Sequence, residues 1–349
     1  MLRHLAIAAA SLLPALSVLA EEVKWPVPPA GFNQASSSIP KGTVSAKINY
    51  PTRNLQQRAC KVYTPPGYSA TRAEKYPVLY LHHGIGGNEN AWTAAQTDGQ
   101  EGNADKVMDF LYSKADLKVT PMIVVMPMGN MTGASGDAWQ AFEDVLINDL
   151  APYIQANYNA STEASMRAMA GLSMGGGQTC NIGYKNPTFF NWLGSFSPAP
   201  NTTGAGTTMN TAAKIAAVKA NVKLAFLSAG TNESGYLNTA RSYHNFLQTN
   251  GISPLFLQVE EGLGHEPKNW NRQLYNFAQR IFKGNPTHVM RPAAKETALT
   301  YARAGEGWTA TRFLVSRDGG PAGIAIFSLD GRAVMQRPAA LLSGPAAQP

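Results

Sequence analysis

The chain has 349 residues, of which 44% are hydrophobic and 15% charged. This length is sufficient for one large domain with a full core and a small appendage, and the low charge excludes a mostly disordered chain or a coiled coil. Its two cysteines exclude a disulfide-dense mini-fold or a four-cysteine zinc site. Whether Cys60 and Cys180 form a disulfide or stay as separate buried thiols is left open. The net charge of +7 comes without a dense Lys/Arg cluster, which argues against nucleic-acid binding.

The first segment of the chain has the pattern of an export signal. Arg3 and His4 precede an apolar run over 5–19, and small residues suited to cleavage lead up to Ala20. The run contains a proline and is too short for a membrane span of roughly 20 residues. We therefore expect residues 1–20 to be a signal peptide of a secreted bacterial protein that has no membrane span and is either extracellular or attached to the cell surface.

Apolar runs alternate with helical stretches in the middle of the chain. Strands are expected over 43–49, 57–63, 77–81, 122–126, 166–172, 192–196, 222–228 and 255–259, and helices over 104–113, 142–156, from 174, and over 211–220, 237–249 and 271–282. Near-continuous apolar strands separated by helices predict an α/β fold with a mostly parallel sheet covered on both faces. Functional residues of such folds lie in the loops at the carboxyl ends of the strands.

The pattern changes after the last of these helices. Residues 284–310 are rich in Pro and Ala and are interpreted as an irregular linker. Short strands over 311–316, 323–329 and 333–336 are separated by Asp-Gly turn signals. The sequence therefore predicts a large α/β domain over 21–283 and a small β-rich module or tail over 311–349.

The strongest chemical signal is the loop 171–176, which reads Gly-Leu-Ser-Met-Gly-Gly. It matches the G-x-S-x-G nucleophile elbow, in which glycines flank a serine on a strained turn. The bare pattern also arises by chance, and the alternative is a tight turn with a structural serine. The strand predicted before it and the helix predicted after it favour Ser173 as the nucleophile.

The order of the chain then points to the histidine. In this type of hydrolase the serine is followed by an acid and then by a histidine. Between Ser173 and Lys283 there are two histidines, His244 and His265. His244 lies within a predicted helix, whereas His265 lies in a glycine-rich loop after the last strand. An imidazole in that loop is able to reach the serine hydroxyl as general base, so we expect His265 in this role.

The acid follows by elimination. No aspartate lies between the serine and His265, and the only carboxylates there are Glu233, Glu260 and Glu261. The last two stand too close to His265 in sequence to fold back on its far nitrogen. Glu233 directly follows a strand, and the alternative for it is a solvated loop carboxylate. We expect Glu233 to orient the imidazole of His265.

A second glycine-rich loop, over 82–87, reads His-His-Gly-Ile-Gly-Gly and follows the strand at 77–81. Such a loop lets a backbone N–H face the nucleophile. We expect the oxyanion hole to consist of the N–H groups of Ile85 and Met174. The two histidines suggest a metal site, but no third ligand stands at a matching spacing, so hydrogen bonding within the loop is the favoured interpretation and no metal is expected.

Several segments together resemble the family 1 carbohydrate esterases, and in particular the feruloyl esterase domains attached to bacterial xylanases. The similar segments are 76–87, 170–178 with 181–183, 197–202 and 230–234. The resemblance spans residues 40–283. It implies an α/β-hydrolase fold, no cofactor, and cleavage of esters on feruloylated or acetylated xylan and arabinoxylan fragments. It also implies triad roles for Ser173, Glu233 and His265, although the family usually has aspartate at the position of Glu233.

A feruloyl group requires an apolar and partly aromatic pocket with a polar end. Candidates for that pocket are Gly84, Trp139, Pro198 and Trp270, which flank the expected catalytic loops or follow strands. Either tryptophan is equally compatible with a place in the core.

Two other functions remain open. An acetyl-xylan esterase uses the same triad with a smaller acyl pocket, and a non-catalytic carbohydrate-binding or surface module is an alternative of another class. The export segment disfavours cytosolic thioester-cleaving relatives. Residues 325–334 weakly resemble the small C-terminal β modules that some polysaccharide-degrading bacteria use, which makes sorting or surface-attachment machinery a candidate partner.

Overall fold

The computed structural model describes residues 25–53, 57–93, 102–130 and 141–283, together with the backbone of 296–304, 307–315, 323–327 and 333–338. The chain divides into two compact units between Pro286 and Thr287. The expected signal peptide at 1–20 and the candidate Trp139 lie outside the described residues. No helix in the described ranges is long and apolar enough to cross a membrane.

The first unit is built on one sheet. Its strands are β1 (Thr43–Val44), β2 (Ile48–Pro51), β3 (Gln57–Thr64), β4 (Val78–His82), β5 (Ile123–Pro127), β6 (Arg167–Leu172), β7 (Trp192–Phe196), β8 (Leu224–Gly230) and β9 (Leu255–Glu260). They are ordered β1-β3-β5-β4-β6-β7-β8-β9, with β2 paired to β3. The strands β4 to β9 run parallel to one another, and β1, β2 and β3 are antiparallel additions at one edge.

Helices cover both faces of this sheet, as the sequence predicts. They are α1 (Ala104–Tyr112), α2 (Phe142–Val145), α3 (Ala151–Asn157), α4 (Met174–Gln178), α5 (Ala205–Thr208), α6 (Ala212–Asn221), α7 (Ser234–Thr249) and α8 (Pro267–Ala278). Helices α1 and α8 pack on one face, and α2, α3, α6 and α7 pack on the other. A single turn of π-helix over Leu146–Leu150 joins α2 to α3, and a second over Thr179–Gly183 continues α4.

The core explains why the central strands are apolar at nearly every position. In β4, Val78 and Tyr80 belong to one buried layer, whereas Leu79 and Leu81 belong to the layer on the opposite face. Because side chains of a strand alternate between faces, a strand covered on both faces must be apolar throughout. The cysteines are free and buried in this core.

Most strands lie where the sequence places them, but some predicted bounds are wrong. The stretch 43–49 is two short strands instead of one. Helix α8 begins at Pro267 and not at 271, because a proline without an N–H is tolerated in the first helical turn.

The second unit is a four-stranded antiparallel sheet. Its strands β10 (Glu296–Ala304), β11 (Gly307–Val315), β12 (Gly323–Phe327) and β13 (Ala333–Pro338) pair in that order. Strand β10 falls within 284–310 and β11 begins there, so the interpretation of that whole segment as an irregular linker is wrong. Hydrophobic and polar residues alternate only weakly over 296–304, so this stretch gives little sequence signal for a strand. It forms a strand by pairing with β11.

Candidate active site

Ser173 stands at the sharp turn between β6 and α4. Its backbone has φ of 54° and ψ of −114°, a conformation that costs energy for a residue with a side chain. Its N–H donates to Phe196 O at 2.9 Å, and its carbonyl accepts from the N–H groups of Gly177 and Ala199 at 3.0 and 3.1 Å. These bonds hold the strained turn that carries Ser173 at the carboxyl end of β6, the position that a nucleophile elbow gives its serine.

The glycines of this turn are required by close packing. A Cβ added at Gly175 would lie 2.7 Å from His82 Cβ, His82 O and His83 O. One added at Gly171 would lie 2.7 Å from the Gly175 backbone, and one at Gly176 would lie 2.6 Å from Phe196 O. Each contact is shorter than van der Waals packing allows, so the sequence pattern follows from the geometry of the elbow.

His265 and Glu233 form a hydrogen-bonded pair at the carboxyl ends of β9 and β8. Glu233 Oε2 lies 2.7 Å from His265 Nδ1, and the carboxylate is almost fully buried, whereas the imidazole is 29% exposed. The sequence prediction that the residue at 233 reaches the far nitrogen of His265 agrees with this geometry. Such a bond places the proton on Nδ1 and leaves Nε2 free to accept one.

Three donors hold the other oxygen of this carboxylate. Glu233 Oε1 accepts from Ser197 Oγ at 2.6 Å, from the N–H of Gly230 at 2.6 Å and from Asn269 Nδ2 at 2.8 Å. Asn269 is itself held, because its Oδ1 accepts from Gln273 Nε2 at 2.7 Å. A buried carboxylate with all these partners is fixed in one orientation.

Aromatic rings enclose the imidazole on two sides. Tyr236 stacks on His265 with ring centroids 3.8 Å apart, and Trp270 meets it edge-on at 5.0 Å. Trp270 is only 4% exposed and belongs to the core beneath α8. Its observed contact is therefore with the imidazole of His265, and its role as a wall of an acyl pocket stays a prediction.

Ser173 Oγ is not hydrogen-bonded to His265 among the described residues. Catalytic hydrogen bonds of unliganded enzymes are often long and tighten with substrate. The two residues belong to one cluster through the loop after β7. Phe196 accepts from the Ser173 N–H, and the neighbouring Ser197 donates to Glu233.

The loop after β4 lies against the nucleophile. A Cβ at Gly84 would be 2.8 Å from Leu172 Cδ1 and 3.4 Å from Ser173 Cβ, so the backbone of this loop packs directly against the elbow. Ile85 follows on the surface with its side chain 83% exposed. Met174 begins α4, and N–H groups of a first helical turn have no intrahelical partner. Gly84, which precedes Ile85, packs against Ser173, and Met174 follows Ser173 in the chain. The oxyanion hole formed by the N–H groups of Ile85 and Met174 stays a prediction.

Both histidines of this loop are buried and hydrogen-bonded, and neither faces a set of metal ligands. His82 Nδ1 lies 3.0 Å from Gln178 Oε1, and burial lowers the pKa of His82 to about 3. His83 lies between Gly84 O and the N–H of Gly129. Within the ranges that the structure describes, no group of three or more His, Cys, Asp or Glu side chains could hold a metal ion.

Sequence reasoning missed three residues that support the site, Tyr236, Asn269 and Gln273. It included Ser197 in the segment 197–202 but did not predict its hydrogen bond to Glu233. Tyr236 and Asn269 contact His265 and Glu233 from other elements, and Gln273 contacts Asn269 within α8. None of the three carries a sequence pattern of its own. Of the predicted pocket residues, Pro198 is buried beside the elbow, where a Cβ at Gly176 would be 3.0 Å from its Cα.

Comparisons with known proteins identify the family of this chain. Residues 54–273 match the family model Esterase, described as "Putative esterase". A curated relative, the endo-1,4-beta-xylanase/feruloyl esterase of Xylanibacter ruminicola, is 33% identical over 271 residues, which are 75% of this chain and 34% of the relative. The chain thus spans about a third of the length of that protein.

Solved structures share the fold. A CE1 ferulic acid esterase from Anaeromyces mucronatus, in complex with ferulic acid, superposes with a TM-score of 0.62 at 22% identity, covering 73% of this chain and 96% of that one. The feruloyl esterase module of Clostridium thermocellum, complexed with sinapinate, gives 0.59 at 18% identity, covering 75% and 94%. The predicted α/β-hydrolase fold and the resemblance to feruloyl esterases are confirmed. The chain belongs to the Esterase family.

Proposed function

We propose that this chain is a secreted serine esterase that releases ferulic or related hydroxycinnamic acids from esters on plant cell-wall xylan. The observation that carries the proposal is the buried Glu233 carboxylate, bonded at 2.7 Å to His265 Nδ1 beside an elbow that holds Ser173 at positive φ. A structural serine in a tight turn would need neither the strained backbone nor an oriented imidazole in the neighbouring loop.

The reaction follows from the roles of these groups. Ser173 Oγ attacks the ester carbonyl while His265 Nε2 takes its proton, and the charge on the imidazolium is stabilised by Glu233. The oxyanion accepts from the N–H groups of Ile85 and Met174. The tetrahedral intermediate collapses, the alcohol leaves with a proton from His265, and a feruloyl-Ser173 ester remains. Water then attacks this ester by the same route and releases the acid.

The choice of acyl group rests on the relatives. The curated relative is named as a xylanase and feruloyl esterase, and two of the structural neighbours hold ferulic acid or sinapinate. Their names favour a hydroxycinnamate over an acetate as the acyl group here. Gly84, Pro198 and Trp270 are the described candidates for the walls of its pocket.

Export is part of the proposal and rests on the apolar segment at 1–20, whereas the β unit after Pro286 is proposed as a sorting or attachment module. Truncation after Lys283 is expected to leave ester hydrolysis intact while changing the location of the protein. A folded truncated protein without activity would contradict this division of roles.

The direct test is labelling of the folded protein with a fluorophosphonate probe. We expect one adduct, located at Ser173 by peptide mass spectrometry, that is absent from Ser173→Ala. The matched control is Ser37→Ala, which makes the same change at an exposed serine outside the site and should keep the adduct and the activity on methyl ferulate. A folded wild-type protein without an adduct at Ser173 would instead favour a non-catalytic carbohydrate-binding module.

A substrate panel then decides the acyl group. Methyl ferulate, methyl coumarate and acetylated xylan are compared by kcat/KM. Preference for the two aromatic esters supports the proposal, whereas turnover of acetyl esters alone would identify an acetyl-xylan esterase that uses the same triad.

A further inference from the structure

The imidazole of His83 lies between two backbone groups in the loops after β4 and β5. Its Nδ1 is 2.6 Å from Gly84 O, and its Nε2 is 2.9 Å from the N of Gly129. The side chain is 1% exposed. The mechanism proposed above gives this buried histidine no part in the reaction.

These two partners fix the tautomer of His83. The amide N–H of Gly129 only donates, so Nε2 must be the unprotonated nitrogen that accepts from it. The carbonyl of Gly84 only accepts, so Nδ1 must carry the proton. The ring is therefore neutral with its proton on Nδ1, and burial, which lowers the pKa of His83, favours the same neutral form.

The bond from Nδ1 acts on the peptide group that joins Gly84 to Ile85. Gly84 O accepts from His83 Nδ1 and also from the N–H of Gly87 at 3.2 Å. In a trans peptide the carbonyl and the following N–H point in opposite directions. Two bonds that hold Gly84 O therefore also determine the direction of the Ile85 N–H.

The order of the strands gives that direction. In the sheet, β4 lies between β5 and β6. The His83 ring lies between Gly84 O and Gly129, and Gly129 follows β5. Gly84 O therefore faces the β5 side of β4. The Ile85 N–H consequently faces β6, where Ser173 stands, and a Cβ at Gly84 would be 3.9 Å from Ser173 Oγ.

We propose that His83 is a positioning residue of the oxyanion hole: its Nδ1–H holds the Gly84–Ile85 peptide so that the Ile85 N–H points at the oxyanion formed on Ser173. This inference rests on the proposed serine mechanism. A glycine at 87 leaves room for this ring, since a Cβ there would lie 2.8 Å from His83 Nδ1 and would displace it.

Two amide variants test the two hydrogen bonds of the ring separately. His83→Asn places an amide N–H at the position of Nδ1 and keeps the donor to Gly84 O, but it loses the acceptor for Gly129. His83→Gln places its carbonyl at the position of Nε2 and keeps that acceptor, but it loses the donor. Each variant gives up one buried hydrogen bond, so both are expected to lower the melting temperature by a similar amount.

The kinetic effects are expected to differ. With methyl ferulate, His83→Gln should lower kcat by roughly 10- to 100-fold, because a misdirected oxyanion donor acts on the transition state and not on the bound substrate. Its KM should change by less than about twofold, and binding of phenylboronic acid, which forms a tetrahedral adduct with a serine nucleophile, should weaken in parallel with kcat. His83→Asn should retain kcat within about threefold of the wild type.

Equal losses of kcat in the two folded variants, or an unchanged kcat in His83→Gln, would overturn the role of His83. If neither variant folds, nitrogen NMR of the ¹⁵N-histidine-labelled wild-type protein still tests it, since the His83 ring must show a protonated Nδ1 and an unprotonated Nε2 at neutral pH, and the opposite tautomer refutes the proposal. Ester hydrolysis that survives in Ser173→Ala would instead refute the proposed function, which keeps the two failures distinct.

Discussion

Replacement of Glu233 by glutamine tests the orientation of the catalytic pair, because the structure determines which way the new amide must face. Three donors converge on Oε1: Ser197 Oγ, the N–H of Gly230 and Asn269 Nδ2. In Glu233→Gln the carbonyl oxygen must occupy this position. The opposite orientation would set an NH₂ group against three donors, at roughly 1–3 kcal/mol for each buried group left unsatisfied. The NH₂ group must therefore face His265.

An NH₂ group at the position of Oε2 donates to His265 Nδ1 and moves the ring proton to Nε2. That tautomer has no lone pair with which to accept the proton of Ser173. The change is nearly isosteric, so the fold should persist, while kcat on methyl ferulate should fall by roughly 10³- to 10⁴-fold, which corresponds to about 4–5 kcal/mol of transition-state stabilisation.

The assay is steady-state hydrolysis of methyl ferulate, with thermal melting to verify the fold. Glu261→Gln is the matched control, because it makes the same chemical change at an exposed carboxylate near the same loop and should keep wild-type kcat. A folded Glu233→Gln protein with more than about a tenth of the wild-type kcat would refute the assigned tautomer and the role of Glu233.

Two further predictions concern the surroundings of the elbow. Gly175→Ala should destabilise the fold by about 1–3 kcal/mol, because its Cβ would lie 2.7 Å from the backbone oxygens of His82 and His83. The control Gly204→Ala adds a Cβ in open space and should change the free energy of unfolding by less than about 0.5 kcal/mol in urea titrations. Equal effects of the two variants would contradict the packing argument. His82 has its pKa lowered by burial to about 3, so the unfolded chain binds a proton below pH 6.5 that the folded chain does not. Stability is then lost as the pH falls from 6.5 towards about 3, by up to about 1.4 kcal/mol per pH unit and about 5 kcal/mol in total. The non-titrating His82→Asn should show a shallower dependence in urea titrations, and an unchanged slope would show that His82 is not the source.

The sequence predicts the sheet well, and it brings Ser173, Glu233 and His265 forward as candidates, because each leaves a local pattern. Strands buried on both faces are apolar at nearly every position, and the elbow needs glycines beside its serine. The order serine, acid, histidine then leaves few alternatives for the remaining two residues. Strand β10 was missed because its pairing with β11 contributes backbone hydrogen bonds, which have no counterpart in the residue pattern.

The support of the site leaves no such pattern. Asn269 reaches Glu233 from a helix 36 residues further along the chain, and Ser197 reaches it from 36 residues before. Tyr236 stacks on His265 only because α7 and the loop after β9 lie side by side. An asparagine, a serine or a tyrosine is common in any loop or helix, so only the folded chain distinguishes these positions from ordinary surface ones.

The two oriented groups of the site are held in the same way. Gly84 O is bonded by His83 and Gly87, which directs the N–H at the other end of that peptide group. Glu233 Oε1 is bonded by three donors, which directs Oε2 to the histidine. In each case hydrogen bonds to one atom of a planar group fix the direction of the atom at its other end, which is the atom that the proposed mechanism uses. The glutamate side chain is long enough for its carboxylate to accept from Ser197 after β7, from Gly230 at the end of β8 and from Asn269 on α8. An aspartate at 233, one methylene shorter, would have to give up part of that anchorage to keep its bond to the imidazole.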